Sequence, residues 1–196
     1  MNAVLEHRKR LMEMGGLLPS GYTKLTWLTN SGGSWFNSGV RRSTATSQII
    51  DIECDIIITS NSSTGYMGGD NGTYFGISNL KWSNSGLSQG DIMLGQAYHV
   101  LMYRESVNTQ LLYVDDTLVS TNSRTLSAAA DIYIFNIMTS SAYQIKGSLG
   151  RTKIFKAREL VRDFIPCIDP NNVYGMYDII NGQFYSSMTS TPFTGA

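Results

Sequence analysis

Asp51, Glu53 and Asp55 alternate with Ile52 and Cys54 in the run "SQIIDIECDIIIT". Successive side chains of a β-strand point to opposite faces, so the three acids would share one face. Neighbours on that face lie about 6.5–7 Å apart. Flexible carboxyls at that spacing reach the separations, about 5–9.5 Å, at which paired acids hydrolyse glycosidic bonds. The same residues also suit a solvent-side ladder. Adjacent carboxylates repel, so a ladder needs cations on a neighbouring strand. Arg151 and Lys153 alternate on a second β-type run and can supply them. The ladder is the expectation, with a glycoside hydrolase using Asp51, Glu53 and Asp55 as the alternative.

Other chemical signals are sparse. Ser88 lies in "GLSQG", a match to the nucleophile-elbow pattern, which has meaning only between a strand and a helix. Here the pattern sits in a Gly/Ser-rich loop that runs into β-type sequence, so the match is accidental. His99 is the histidine outside the N-terminal segment and falls on a strand. Two histidines and two scattered cysteines give no zinc spacing. "DNG" at 70–72 and "DPNN" at 169–172 are oxygen-rich turns without the ligand density of a calcium loop. No cofactor is expected, and calcium is the one candidate ion.

Aromatic residues give the stronger binding signal. Three tryptophans and eleven tyrosines exceed what a core of this size needs. Trp35, Tyr66, Tyr74 and Trp82 sit in or beside Gly/Ser/Asn loops. Flat rings with nearby amides suit a sugar, which has apolar faces and a hydroxylated edge. These four are the candidate ligand-binding residues. Their alternative role is to plug the ends of a sandwich.

The elements that must position these residues are almost all strands. "TKLTWL", "QIIDIECDIIIT", "TYFGI", "YHVLMYRE", "QLLYVDD", "DIYIFNI", "GRTKIFK" and "GQFYSS" are short β-type runs between turn residues. "YVDDTLV" reads as a hairpin turning at Asp115-Asp116. Within 51–55 the isoleucines and Cys54 make the core face. Such spacing predicts an all-β fold, a two-sheet antiparallel jelly-roll sandwich. The one helical stretch is 3–14, where Val4, Leu5, Leu11 and Met12 form an apolar stripe and Gly15-Gly16 ends it. A helix that short needs a surface to dock on, so these four residues are the candidate partner contacts. The expected organisation is an N-terminal helical arm over 1–17 and a sandwich over 18–196.

Composition removes whole classes. Fifteen basic and fifteen acidic residues among 196 leave no net charge, which argues against a phosphate-tracking nucleic-acid binder. No apolar run reaches the length of a membrane span, and no signal-like h-region opens the chain. Synthesis in the cytoplasm is expected, and Cys54 and Cys167 are then expected as buried free thiols rather than a disulfide.

Two phrases carry a resemblance. "LPSGYTKLTWLTNSGGSWFNSGV" (18–40) and "GRTKIFKARELVRDFIPCIDPNNVYGMYDIINGQFYSSMTSTPFTG" (150–195) resemble the opening and closing strands of laminin-G-like, concanavalin A-like jelly-roll domains of bacteriophage and gut-bacterial proteins. Within the second, Arg162-Asp163 is expected to lock a strand end, Pro166 to stop its ladder and Asn181-Gly182 to form a tight turn. The resemblance implies fold rather than chemistry. Laminarinase-type hydrolases of the same superfamily carry Glu-x-Asp-x-Glu, whereas this strand has the acids exchanged at every position. The implied protein is a non-enzymatic virion surface component, such as a tail-fibre, receptor-binding or capsid-decoration protein. Its arm would bind other virion proteins and its sandwich a host-surface glycan; a decoration module with no ligand is the alternative. A homo-oligomer is compatible with this, and no residue counts subunits.

Overall fold

The computed structural model describes residues 18–43, 49–60, 64–69, 73–125, 129–137 and 144–196. The expected arm, with Val4, Leu5, Leu11 and Met12, lies outside the described residues, as does the turn at 70–72. In chain order the strands are β1 (Thr23–Lys24), β2 (Leu28–Asn30), β3 (Phe36–Arg42), β4 (Ile50–Ile58), β5 (Thr64–Gly69) and β6 (Thr73–Ser78). They continue with β7 (Lys81–Asn84), β8 (Leu87–Asp91), β9 (Ala97–Arg104), β10 (Gln110–Val114), β11 (Thr117–Asn122) and β12 (Ala130–Ile134). The last are β13 (Gly147–Lys156), β14 (Glu159–Ile168), β15 (Tyr174–Asp178), β16 (Gln183–Ser186) and β17 (Thr194–Gly195). No helix occurs among the described residues.

The strands form two antiparallel sheets. The larger runs β11-β10-β9-β4-β13-β14-β15-β16, with β1 on β14, and β2 bridging β13 and β17. The smaller runs β3-β12-β5-β6-β7-β8. Their inner faces enclose the core. Ile50, Ile52, Cys54, Ile56 and Ile58 of β4 meet Phe36, Phe75, Ile77, Trp82, Ile132 and Ile134 of the smaller sheet. Burying each such aliphatic side chain stabilises the fold by roughly 1.5–3 kcal/mol. The core face read from the alternation of "IIDIECDIII" is thus the observed one, and the chain is a jelly-roll β-sandwich.

Tight turns set the hairpin registers. Asn79-Leu80, Ser85-Gly86, Asp115-Asp116 and Ala157-Arg158 each join two strands with both residues at positive φ. That is the turn whose twist matches paired strands. The Asp115-Asp116 hairpin appears where the sequence places it, and Ser88 lies on the exposed hairpin strand β8. Pro166 does not stop its ladder but sits inside β14. Its carbonyl accepts the Leu25 N–H at 2.9 Å, so its missing N–H faces the same side. On that side β13 pairs as far as Phe164 and β1 begins at Cys167, so Pro166 occupies a gap between partners and no donor is lost.

Candidate functional site

The outer face of the larger sheet gathers the titratable side chains. β4 contributes Asp51, Glu53 and Asp55, β9 contributes His99, and β13 contributes Arg151 and Lys153. Register pairs Asp55 with His99, and Glu53 with Leu101 on one side and Lys153 on the other. The imidazole lies between two acids: Nδ1 is 2.8 Å from Asp55 Oδ1 and Nε2 is 3.6 Å from Glu53 Oε1. Asp55 is half exposed, whereas Glu53 is mostly covered and its Oε2 is buried without a hydrogen bond.

The three acids therefore differ, which corrects the expectation of one solvent-side ladder. Asp51 is wholly buried. It accepts the backbone N–H of Arg104 at 2.7 Å and an Arg158 Nη1 bond at 2.5 Å. Arg158 also lies over the Tyr103 ring, 4.0 Å from its centroid. A carboxylate so enclosed cannot meet a sugar, so the three-acid hydrolase does not stand. The cation partners were only partly foreseen. Lys153 does face Glu53 across the register, but Arg151 turns to Asp163. Its Nε and Nη2 hold the two oxygens of that buried carboxylate at 2.7 and 2.5 Å. This bidentate bond raises the Arg151 guanidinium above its ordinary pKa, against the opposing effect of its own burial.

A bulge shapes the centre of this face. Leu149 pairs with Ile56 and Thr152 with Cys54, so Gly150 and Arg151 together oppose Asp55. A methyl group on Gly150 would stand 3.0 Å from Asp55 Cβ and 3.3 Å from Trp27 Cζ3. The bare glycine lets the half-buried Trp27 ring and Asp55 close in on the same spot. Trp27 itself is held between β1 and β2, where its N–H and carbonyl bond Ala196 at 2.9 and 3.1 Å.

The aromatic residues singled out in the sequence lie elsewhere. Trp82 packs edge-on against Tyr98 and is 1% exposed. Trp35 is buried edge-on against Tyr133. Tyr74 is buried beside Arg124, whose Nη1 is 3.3 Å from the phenol oxygen. These three rings are therefore not presented on the surface: Tyr74 on β6, Trp82 on β7 and Trp35 just before β3 are buried, with Trp82 and Trp35 part of the hydrophobic core. Tyr66 lies on β5, and its side chain is outside the described set. Trp27 was missed although it is the third tryptophan. Its signal was the interruption of "TKLTWL", which is two short strands with Trp27 between them rather than one strand.

One end of the sandwich holds a buried polar network. Gln110 Nε2 donates to the Tyr74 carbonyl at 2.9 Å and to Asn84 Oδ1, and Arg104 Nη1 donates to Gln110 Oε1 at 2.9 Å. Burial, with Arg42 and Arg124 nearby, lowers the Arg104 pKa to about 10. At 169–172, Asp169 accepts the N–H groups of Asn171 and Val173 at 2.9 and 2.8 Å. These donors hold its carboxyl below the usual range. Among the described residues, no group of three His, Cys, Asp or Glu side chains is placed to hold a metal.

No family model matches the sequence, and no curated protein does. Among solved structures, the chain is similar to an alginate lyase, AlgAT5 of polysaccharide lyase family 7, at 15% identity and a TM-score of 0.38. That similarity covers 60% of this chain and 62% of the lyase chain, so the match spans less than two thirds of the lyase. It is also similar to the carbohydrate-binding module CBM66 from Bacillus subtilis, at 16% identity and a TM-score of 0.36, over 66% of this chain and 90% of that one. Both likenesses concern the fold. The lyase corrects one expectation: a sandwich of this kind is no ground for calling the chain non-enzymatic.

Proposed function

We propose that the chain is a saccharide-engaging β-sandwich whose working surface is the outer face around His99. The observation that carries this reading is the placement of His99 between Asp55 and Glu53, with Asp55 and the half-buried Trp27 ring meeting over Gly150. The ring offers an apolar platform for a sugar face, and Asp55 offers acceptors for its hydroxyls. The two acids fix the imidazole, with Nδ1 toward Asp55 and Nε2 toward Glu53, so the same geometry suits proton transfer. The names of the two structural neighbours, a polysaccharide lyase and a carbohydrate-binding module, are compatible with this ligand class. The phrases at 18–40 and 150–195 further support placement on a virion surface, with residues 1–17 as the attaching arm and a host glycan as ligand.

The test measures binding to, and depolymerisation of, a panel of immobilised polysaccharides that includes alginate. At least one polymer is expected to be retained or cut, and Trp27→Ala and His99→Ala are expected to weaken this about tenfold or more, about 1.4 kcal/mol. Thermal melting should stay near that of the parent chain. Equal performance by both variants would remove this face from the proposal.

A further inference from the structure

We infer that a second, independent groove on the chain binds a single neutral sugar ring. It lies between β15, the end of β16 and the tail that precedes β17, with a volume of about 190 Å³. Pockets for drug-sized ligands run to about 300–1,000 Å³, so this groove suits a smaller molecule. Tyr174, Pro192 and the buried Phe193 supply apolar surface, and Ser186 and Ser190 supply hydroxyls on the lining. No charged side chain lines it. Apolar faces edged by neutral donors and acceptors match a pyranose, and the absence of cations and carboxylates selects against uronates and amino sugars bearing charge.

The wall of this groove is held in place. Residues 187–193 carry no regular strand, yet hydrogen bonds from three residues, together with a second one from Ser34 Oγ to the Pro192 carbonyl at 3.0 Å, fasten them to 33–35. Thr189 Oγ1 donates to the Gly33 carbonyl at 2.6 Å, Ser34 Oγ to the Thr191 carbonyl at 2.9 Å, and the Met188 N–H to the Trp35 carbonyl at 2.9 Å. Ser187 and Thr189 hydroxyls bond each other at 3.0 Å. The floor is equally fixed, since Phe193 packs on Phe36 and Phe135. A preformed wall and floor spare the ligand the entropy of ordering a loop. The inference shares the saccharide class with the His99 face and rests on that class alone.

The experiment titrates ¹⁵N-labelled full-length chain with glucose, galactose, mannose and N-acetylglucosamine, each to tens of millimolar. At least one is expected to shift the amide signals of 186–193 in a saturable way, and to do so equally in Trp27→Ala. Ser190→Tyr, which fills the groove, should abolish those shifts, and Tyr174→Ala should weaken them about tenfold. Melting of each variant near the parent value keeps the comparison valid, and Ser186→Ala serves as the milder probe if Tyr174→Ala melts early. No saturable shift at 186–193 with any of the four sugars, or shifts that survive Ser190→Tyr, would overturn the inference. Polysaccharide retention that persists in Ser190→Tyr would leave the His99 face standing, so the two fail separately.

Discussion

Asp51 Oδ2 and Arg158 Nη1 are 2.5 Å apart, across 107 positions of sequence, with the carboxylate fully enclosed. The pair joins the centre of the larger sheet to the β13–β14 turn. Removing the acid strands the Arg104 N–H and leaves Arg158 without its carboxylate. Asp51→Ala is expected to cost about 3–5 kcal/mol. Asp55→Asn, on a half-exposed carboxylate of the same face, should stay within about 1 kcal/mol. Urea denaturation of both variants checks the contrast; equal costs would mean the face is uniform.

Arg151 and Asp163 make the other fixed pair, and here the arginine is about a third exposed. Solvent screens part of its loss, so Arg151→Ala should destabilise by about 2–3 kcal/mol, in the range for hydrogen bonds to a charged group. Arg151→Lys should recover little of this, because an ammonium cannot reproduce the two parallel bonds. Full recovery by lysine would show that charge alone matters.

Both thiols are buried and free. Burial pushes Cys167 up to about 12 and holds Cys54 well above its ordinary value. In an unfolded chain they ionise at about 8.5. Between those values the folded chain holds more protons than the unfolded one, so stability falls as pH rises through that window. The contribution is fully present below about 8.5. Denaturation midpoints from pH 8 upward should decline, and less steeply in Cys167→Ala. A thiol reagent should label neither cysteine in the native chain at pH 8, and both in denaturant.

Ala157 stands at φ +52 in the β13–β14 turn, with its side chain exposed. A left-handed conformation costs a non-glycine residue about 1–2 kcal/mol, and glycine pays back part of that in the unfolded chain. Ala157→Gly should therefore stabilise by about 0.5–1 kcal/mol, read as a higher melting temperature. Arg158→Gly, which relieves the same kind of strain at φ +70, should destabilise because it loses Asp51 and Tyr103.

Trp82 tests the distinction between core and ligand rings. Trp82→Ala is expected to cost about 3–5 kcal/mol by opening a cavity against Tyr98. Trp27→Ala should melt close to the parent and differ in saccharide retention. The reverse pattern would exchange the roles of the two rings.

Much of the sandwich was legible because period-two alternation is a direct consequence of the pleat. Ile50 to Ile58 declared a core face, and Asp115-Asp116 declared a turn. The Ala157-Arg158 turn carries neither glycine, asparagine nor aspartate, so local chemistry gave no sign of it, and at Asn79-Leu80 only the asparagine gave one; tertiary pairing of their strands imposes the conformation. The acids of β4 were legible as a face but not as three environments. Burial of Asp51 depends on Arg158, which the chain delivers from 107 positions away. The loop aromatics misled for a related reason: Gly/Ser/Asn neighbours describe the backbone beside a ring, not where the ring points.

The bulge at Gly150-Arg151 carries a last consequence. Before it, odd-numbered β13 residues such as Leu149 face the core; after it, even-numbered ones such as Thr152 and Ile154 do. The extra residue acts as a phase shifter. Pairing the same residues one-to-one, without the bulge, would put Arg151, Lys153 and Phe155 on the core side and turn Thr152 and Ile154 outward. Excising one of the two bulge residues would instead restore regular pairing with Thr152 and Ile154 still inward. The second residue opposite Asp55 thus reconciles two stretches of opposite phase, and the place where an insertion or deletion falls in β13 matters more than its length: outside the bulge, one residue more or less flips every side chain beyond it.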